Sequence, residues 1–180
     1  VHPVRPTNAR RVGILGMGRI GALVAGSLKA LGFDVAGLSR SGGAGTFSMA
    51  RIDDFLVRSD LLICLLPLTS DTRGILNART LARLPPGAGL IHAGRGAHLD
   101  MNALHAALDS GQLSAAMLDV TDPEPLPQDH WLWRDPRVIV TPHIAAQTDA
   151  AEAARHALAV MQALRRGGPI PGQVDPTLGY

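Results

Sequence analysis

The feature that most limits the fold of this chain is a regular alternation of short apolar segments with amphipathic ones. Apolar segments that are predicted to be strands lie at 10–16, 33–39, 60–67, 87–94, 114–120 and 137–142. Segments with helical periodicity lie at 19–32, 52–58, 77–84, 101–111 and 148–167. Apolar strands separated by helices are typical of a parallel sheet with helices on both faces. A helix that connects two parallel strands of one sheet makes a right-handed crossover. We therefore predict an α/β fold with a doubly wound parallel sheet of about six or seven strands.

Two segments do not fit this alternation. Residues 40–51 begin with a glycine-rich break after the second strand, and residues 121–136 carry too much proline for a regular element. We assign no element to the first segment, and we expect the second to be a long ordered loop.

The composition excludes several classes of protein. With 46% hydrophobic residues in a length of 180, the chain can form a packed domain. Its sixteen arginines are scattered, so no nucleic-acid-binding face is predicted. The single Cys64 excludes an internal disulfide, and no apolar run or leader indicates a membrane span or export, so we expect a cytoplasmic protein. The seven histidines are scattered, without ligand-like spacing alongside Cys64, so no metal site is predicted.

The stretch GMGRIG, from Gly16 to Gly21, follows the first predicted strand and opens the first predicted helix. This is the context in which a GxGxxG pattern binds a dinucleotide in a Rossmann-type domain. Gly16 allows the tight turn, Gly18 lets the backbone approach a pyrophosphate, and Gly21 lets helix and strand pack closely. Amide groups at the helix start then favour the anion. The alternative is a tight strand-to-helix turn without a ligand.

The second predicted strand ends in Ser39, Arg40 and Ser41, where a protein that binds NAD usually has an acidic residue. A carboxylate accepts hydrogen bonds from ribose hydroxyls but repels a 2′-phosphate, which a guanidinium binds well. We therefore predict that Arg40, together with the two serines, binds the 2′-phosphate of NADPH, with NADH as the less favoured cofactor. The alternative is a solvated loop arginine.

Three further residues follow the ends of three different predicted strands. Arg95 lies in a Gly-Arg-Gly turn, Glu124 lies between prolines, and His143 follows the last strand. Reduction of a ketone needs a proton donor, and a nearby carboxylate favours the protonated form of a histidine. An arginine can orient an anionic substrate. Taken alone, Arg95 and Glu124 are equally well explained as structural or surface residues, and a lone histidine is more often structural. Together, we predict that the three residues are catalytic.

Five motifs, in one order along the chain, resemble those of the D-isomer-specific 2-hydroxyacid dehydrogenases. From Val12 onward they read VGILGMGRIG, LLPLTSDTRGILN, GRGAHLD, LDV followed by PEPLP, and TPHIAAQT. The resemblance implies a nucleotide-binding domain of that family. The segments WLWRDPRVIVTPH and GQVDPTLGY are most similar to the subgroup that reduces glyoxylate and hydroxypyruvate and prefers NADPH.

The resemblance also implies roles for individual residues. Arg95 would bind the 2-oxo acid, His143 would be the general acid, and Glu124 would hold and charge that histidine. Asp119 would contact the nicotinamide amide. Further cofactor-binding positions implied by the family pattern are Arg19, Ile20, Leu66, Pro67, Thr72, Ala93 and Gly94. The chain departs from that pattern at His92, where asparagine is usual.

The resemblance implies that residues 1–170 form the NAD(P)-binding domain and that 171–180 form a tail that would join a substrate domain, most of which is absent. The parent protein would be a homodimeric NADPH-dependent reductase that converts a small 2-oxo acid into a D-2-hydroxy acid. The alternatives are a module or a truncated fragment that binds NAD(P) without catalysis. Which 2-oxo acid is preferred is left open by the sequence.

Overall fold

The computed structural model describes residues 6–43, 45–146 and 148–174. Backbone contacts divide the chain into two compact units, Val1–His143 and Ile144–Tyr180. The strands, all in the first unit, are β1 (Arg11–Leu15), β2 (Asp34–Ser39), β3 (Thr46–Ser48), β4 (Leu61–Cys64), β5 (Ala88–His92), β6 (Leu113–Leu118) and β7 (Val138–Val140). The helices are α1 (Arg19–Ala30), α2 (Ile52–Leu56), α3 (Ala78–Leu81) and α4 (Met101–Asp109) in the first unit, and α5 (Ala150–Arg166) in the second.

The strands of the first unit form one parallel sheet in the order β3-β2-β1-β4-β5-β6-β7. The chain runs outward from β1 to one edge, returns to the centre, and continues from β4 to the other edge. In such a sheet a crevice opens outside the carboxyl ends of the strands at the point where the order reverses, between β1 and β4. The predicted doubly wound parallel sheet is confirmed.

Side chains of the central strands alternate between two cores, because successive residues of a strand point to opposite faces. Ile14 and Ile63 pack on one face with Ala25 of α1. Leu15 and Leu62 face the other side and belong to a larger core, to which α2, α3 and α4 also contribute. Helices therefore cover both faces, as the apolar strands predict.

The segment 40–51 contains an edge strand that the sequence pattern did not indicate. Thr46–Ser48 forms β3, which pairs with β2. None of its three residues is fully buried, and the ring of Phe47 packs edge-on against Phe55 at 5.8 Å between centroids. A short, half-exposed edge strand lacks the apolar run that predicts a buried strand, which is why the sequence pattern missed it.

The strand predicted over 60–67 ends earlier, at Cys64, although the N–H of Leu65 still donates to the carbonyl oxygen of Leu15 at 2.8 Å. Leu66 is buried even though it lies outside the sheet. The apolar run therefore continues into a packed loop at the carboxyl edge of the sheet.

In the second unit, α5 begins and ends at recognisable caps. The carboxylate of Asp149 accepts a hydrogen bond from the N–H of Glu152 at 2.8 Å, and Gly167 ends the helix with a φ of +63°. Both features are typical of helix termini.

Two sequence expectations concern the chain as a whole. Within the described ranges, no helix has both the length and the apolar character that a membrane crossing requires. The predicted tail over 171–180 lies outside the described residues from 175 onward.

Candidate cofactor-binding and active site

The glycine loop after β1 is shaped by two close backbone contacts. Gly16 has a φ of +101°, and a Cβ on it would lie 2.8 Å from the carbonyl oxygen of Leu65. A Cβ on Gly21 would overlap the carbonyl oxygen of Gly16. Both positions therefore require glycine, the first for its conformation and both for the close approach of backbone.

Gly18 has the opposite environment. It immediately precedes α1, and no atom lies within 4 Å of the position that its Cβ would occupy. No side chain of the described residues caps this end of α1, so amide groups of the first turn, which Arg19 and Ile20 begin, remain for water or a ligand. Such an open space beside amide groups suits a phosphate.

We expect the Gly18→Ala variant to be as stable as the unchanged chain. It should bind a dinucleotide such as NADPH at least about tenfold more weakly, because the methyl group would occupy the phosphate space. Gly21→Ala is the matched variant: its methyl group would meet the carbonyl of Gly16, so the free energy of unfolding should fall by more than about 1 kcal/mol. Urea unfolding and calorimetric titration measure the two effects. Unchanged affinity in a stable Gly18→Ala protein would contradict the phosphate assignment.

The predicted 2′-phosphate residues lie beside the glycine loop. Ser39 is the last residue of β2, which pairs with β1, the strand that leads into the loop. The hydroxyls of Ser39 and Ser41 lie 3.3 and 3.4 Å from the carbonyl oxygen of Gly42 and donate to it. Arg40 has an exposed side chain. The structure thus brings these residues to the carboxyl edge, next to the crevice.

The loop after β4 borders the glycine loop directly, through the contact of the Leu65 carbonyl with Gly16. The hydroxyl of Thr72 donates to the carbonyl oxygen of Pro67 at 2.7 Å and so closes this loop. The predicted cofactor residues Leu66, Pro67 and Thr72 therefore share one hydrogen-bonded loop at the crevice.

Arg95 lies between two glycines that touch neighbouring backbone. A Cβ on Gly94 would lie 3.2 Å from the carbonyl oxygen of Leu66, and a Cβ on Gly96 would overlap the carbonyl of Thr121. The guanidinium Nη1 of Arg95 donates to the carbonyl oxygen of Gly94 at 2.7 Å, and the residue is exposed. The turn is therefore fixed between the loops after β4 and β6, while the cation stays accessible.

Ala93 and Asp119 directly follow β5 and β6. The N–H of Ala93 donates to the carbonyl oxygen of Cys64 at 3.1 Å, and that of Asp119 to the carbonyl oxygen of His92 at 2.9 Å. The side chain of Asp119 is buried and accepts a hydrogen bond from the hydroxyl of Thr141. Its carboxyl group is therefore already oriented by the protein.

His143 and Glu124 meet after the ends of β6 and β7. Nδ1 of His143 lies 2.8 Å from Oε1 of Glu124, and the two side chains are 46% and 42% exposed. His143 has a φ of +55°, uncommon outside glycine, and its N–H donates to the carbonyl oxygen of Asp119 at 2.9 Å. Because a carboxylate only accepts, Nδ1 of His143 carries the proton in this contact.

Cys64, His92 and His98 form a buried cluster, which their spacing along the chain did not indicate. β4 pairs with β5 so that Cys64 lies opposite His92. The sulfur and one ring nitrogen of each histidine lie within 4.8 Å of one another. Both ring nitrogens of His98 are hydrogen-bonded, to Arg95 and Pro67. His98 would have to give up one of these bonds to bind a metal, so the cluster is better suited to hydrogen bonding.

Burial keeps this cluster uncharged. Desolvation, and to a lesser degree the neighbouring His98, lowers the pKa of His92 to about 4. Desolvation also lowers the pKa of His98. It raises the pKa of the Cys64 thiol to about 12. The neutral imidazole and thiol forms therefore predominate near pH 7.

The low pKa of His92 predicts that acid destabilises the fold. An unfolded histidine has a pKa near 6.5, so between pH 6.5 and about 4 the unfolded chain binds more protons than the folded one. The contribution of neutral His92 to stability is complete above pH 7 and decreases as pH falls, by roughly 3 kcal/mol at pH 4. Urea unfolding from pH 4.5 to 7.5 measures how steeply the free energy of unfolding falls as pH falls. This slope should be smaller in His92→Asn than in the unchanged chain, and it should be unchanged in His105→Asn, which replaces a half-exposed histidine. Equal slopes in all three proteins would contradict the prediction.

The sheet order and the glycine loop define a Rossmann-type dinucleotide-binding domain. The chain belongs to the D-isomer specific 2-hydroxyacid dehydrogenases, because the model of their NAD binding domain matches residues 2–145. It is 47% identical over 174 residues to glyoxylate/hydroxypyruvate reductase A from Salmonella newport (strain SL254), a match that covers 94% of this chain and 56% of that protein. The chain thus spans about half the length of the curated relatives it matches.

Solved structures of related proteins have the same fold. A D-isomer specific 2-hydroxyacid dehydrogenase from Xanthobacter autotrophicus Py2, solved in complex with NADPH and MES, has a TM-score of 0.95 at 42% identity, covering 100% of this chain and 76% of that chain. An NADPH-dependent glyoxylate/hydroxypyruvate reductase from Sinorhizobium meliloti, in complex with NADP and sulfate, has a TM-score of 0.94 at 39% identity, covering 100% and 60%. The family predicted from the sequence motifs is confirmed.

Proposed function

We propose that this chain is the NADPH-binding half of a reductase that converts a small 2-oxo acid, of the glyoxylate or hydroxypyruvate type, into a D-2-hydroxy acid. The observation that carries the proposal is the 2.8 Å contact of His143 with Glu124 at the sheet edge that also bears the glycine loop and Arg95. The relative at 47% identity is a glyoxylate/hydroxypyruvate reductase, which supports the substrate class. The NADPH and NADP bound in two similar structures support the cofactor.

The residues of this edge fit a dinucleotide that carries an additional phosphate. The open space at Gly18 suits the pyrophosphate, with Arg19 and Ile20 in the adjoining turn of α1. We assign the 2′-phosphate to Arg40 with Ser39 and Ser41, and NADH stays the alternative cofactor. The cofactor-binding set that we propose also contains Gly16, Gly21, Leu66, Pro67, Thr72, Ala93, Gly94 and Asp119.

In this mechanism the bound nicotinamide would supply the hydride. The exposed guanidinium of Arg95 binds the substrate carboxylate through paired charge-assisted hydrogen bonds. Protonated His143 donates its Nε2 proton to the keto oxygen as that oxygen becomes a hydroxyl. Glu124 accepts the hydrogen bond from Nδ1, which keeps the ring oriented.

A second candidate function is a module that binds NADPH without catalysing a reaction by itself. The phosphate space at Gly18 fits this candidate equally well, because it requires only the glycine loop. Oxidation of NADPH by glyoxylate, measured with this chain alone and with the longer parent protein, separates the two. If the parent protein oxidises NADPH and this chain does not, the chain is the proposed half of an enzyme. If both proteins bind NADPH and neither oxidises it, the module is supported.

Three further expectations stay predictions. The parent protein is expected to be a homodimer, it is expected not to bind nucleic acid, and it is expected in the cytoplasm. The free thiol of buried Cys64 is compatible with a reducing compartment such as the cytoplasm.

The assignment of Arg40 predicts a cofactor preference. We expect this chain to bind NADPH at least about tenfold more tightly than NADH, because a hydrogen bond to a charged group contributes roughly 1.5–3 kcal/mol. Parallel calorimetric titrations should show that Arg40→Ala abolishes the difference by weakening NADPH alone. Arg10→Ala is the control. Arg10 is an exposed arginine just before β1, at the amino ends of the strands and so away from the glycine loop. Equal affinities in the unchanged chain would make Arg40 a surface residue.

The assignment of His143 predicts a loss of turnover. In the parent protein, His143→Ala should lower kcat for glyoxylate by about 100- to 10,000-fold, the usual contribution of general acid catalysis, with little change in NADPH affinity. Glu124→Gln keeps an accepting oxygen but removes the charge, so we expect its kcat to fall less than that of His143→Ala. The matched control is His105→Ala, which replaces a half-exposed histidine of α4 and should leave kcat unchanged. Normal kcat in His143→Ala would exclude it as the acid.

A further inference from the structure

The backbone of Arg95 is held on both sides by imidazole rings. Its N–H donates to Nδ1 of His98 at 3.0 Å, and its carbonyl oxygen lies 2.9 Å from Nε2 of His92. Both histidines have no exposed surface, whereas Arg95 itself is exposed. The N–H of Arg95 is therefore bonded to a buried ring, and its carbonyl oxygen is bonded both to a buried ring and to the backbone N–H of His98 at 2.9 Å.

Hydrogen-bonding requirements fix the protonation of the two rings. A backbone N–H only donates, so Nδ1 of His98 carries no proton, and Nε2–H of the same ring donates to the carbonyl oxygen of Pro67 at 3.2 Å. A carbonyl only accepts, so Nε2 of His92 carries the proton. Nδ1 of His92 is then an acceptor, and it has no hydrogen-bond partner among the described residues. Both rings thus act on Arg95 as neutral imidazoles, one accepting and one donating.

The same rings connect Arg95 to the loop after β4. The carbonyl of Pro67 that accepts from His98 also accepts from the hydroxyl of Thr72. A Cβ on Gly94 would lie 2.9 Å from Nδ1 of His98, so glycine at this position leaves room for the ring beside the N–H of Arg95. The position of Arg95 is therefore coupled to the loop to which we assign cofactor binding.

We propose that His92 and His98 are positioning residues for Arg95, which hold its backbone so that its guanidinium meets the carboxylate of the 2-oxo acid. This inference rests on the proposed function, in which Arg95 binds the substrate. A long side chain reaches a fixed point only when its Cα is fixed, and a misplacement of about 1 Å is enough to cost a large factor in rate. Since β5 ends at His92, the sheet ladder does not extend to Arg95. The restraint on its N–H comes from the ring of His98, and that on its carbonyl oxygen comes from the ring of His92 together with the backbone N–H of His98.

The restraint itself is tested on this chain by NMR of the ¹⁵N-labelled protein. We expect slow exchange of the Arg95 amide and, near pH 7, the chemical shift of an unprotonated nitrogen at Nδ1 of His98. His98→Gln removes the acceptor near Nδ1 and should speed exchange at Arg95 at least about tenfold. His98→Asn places its amide oxygen near the position of Nδ1 and should retain most of the protection. Fast exchange in the unchanged chain, or equal exchange in it and in His98→Gln, would overturn the inference.

The consequence for the substrate is tested in the parent protein with glyoxylate. His98→Gln should raise KM at least about tenfold while changing kcat less, and His98→Asn should recover most of the loss. In an Arg95→Ala background, His98→Gln should have little further effect on kcat/KM, because the two residues act as one unit. An additive effect of the two substitutions would indicate a general structural role and overturn the inference.

Failure of the proposed role of Arg95 and failure of the positioning inference give different results. If Arg95→Ala leaves KM for glyoxylate unchanged, the proposed role of Arg95 as substrate ligand is wrong. If Arg95→Ala raises KM but His98→Gln and His92→Leu do not, Arg95 binds the substrate without help from the rings, and only the positioning inference is wrong.

Discussion

The parallel hydrogen bonding of the central strands is the interaction on which the candidate site depends. Right-handed crossovers in a parallel sheet deliver every loop that follows a strand to the same edge. β1 leads into the glycine loop, β4 into the loop closed by Thr72, and β5 into the turn that carries Arg95. β6 and β7 lead to Glu124 and His143, whose side chains then meet at 2.8 Å. Pairing of the strands thus assembles groups that lie far apart in the chain.

Close approaches of backbone at glycine connect these loops to one another. The carbonyl of the loop after β4 lies against Gly16, Gly94 approaches the same loop, and Gly96 lies against the loop after β6. Protein interiors are packed densely enough that a side chain at any of these positions would force one loop away from the next. The edge of the sheet therefore behaves as one connected layer, in which the accessible cation of Arg95 is supported by buried groups.

Much of the fold was predictable because its signals are local. Six strands are apolar runs, and the glycine loop occurs in the context that gives the pattern its meaning. β3 was not predictable in this way, because Thr46–Ser48 is short, half-exposed and stabilised by pairing at an edge. The early end of β4 at Cys64 was missed for the converse reason: Leu66 is apolar because it is buried in a loop, and apolarity alone does not distinguish the two cases.

The amino-acid sequence by itself determined the parallel sheet, the family, and which chemical groups follow the strands, including Arg95, Glu124 and His143. The contact of Glu124 with His143 was implied by the family resemblance, whereas only the tertiary structure decided that Cys64, His92 and His98 come together. Cys64 and His92 are opposite each other because β4 and β5 pair in one register, and no spacing along the chain reveals that register. The contacts of the two buried histidines with Arg95 join residues only three apart, and only the folded turn shows that the two rings reach the backbone of Arg95.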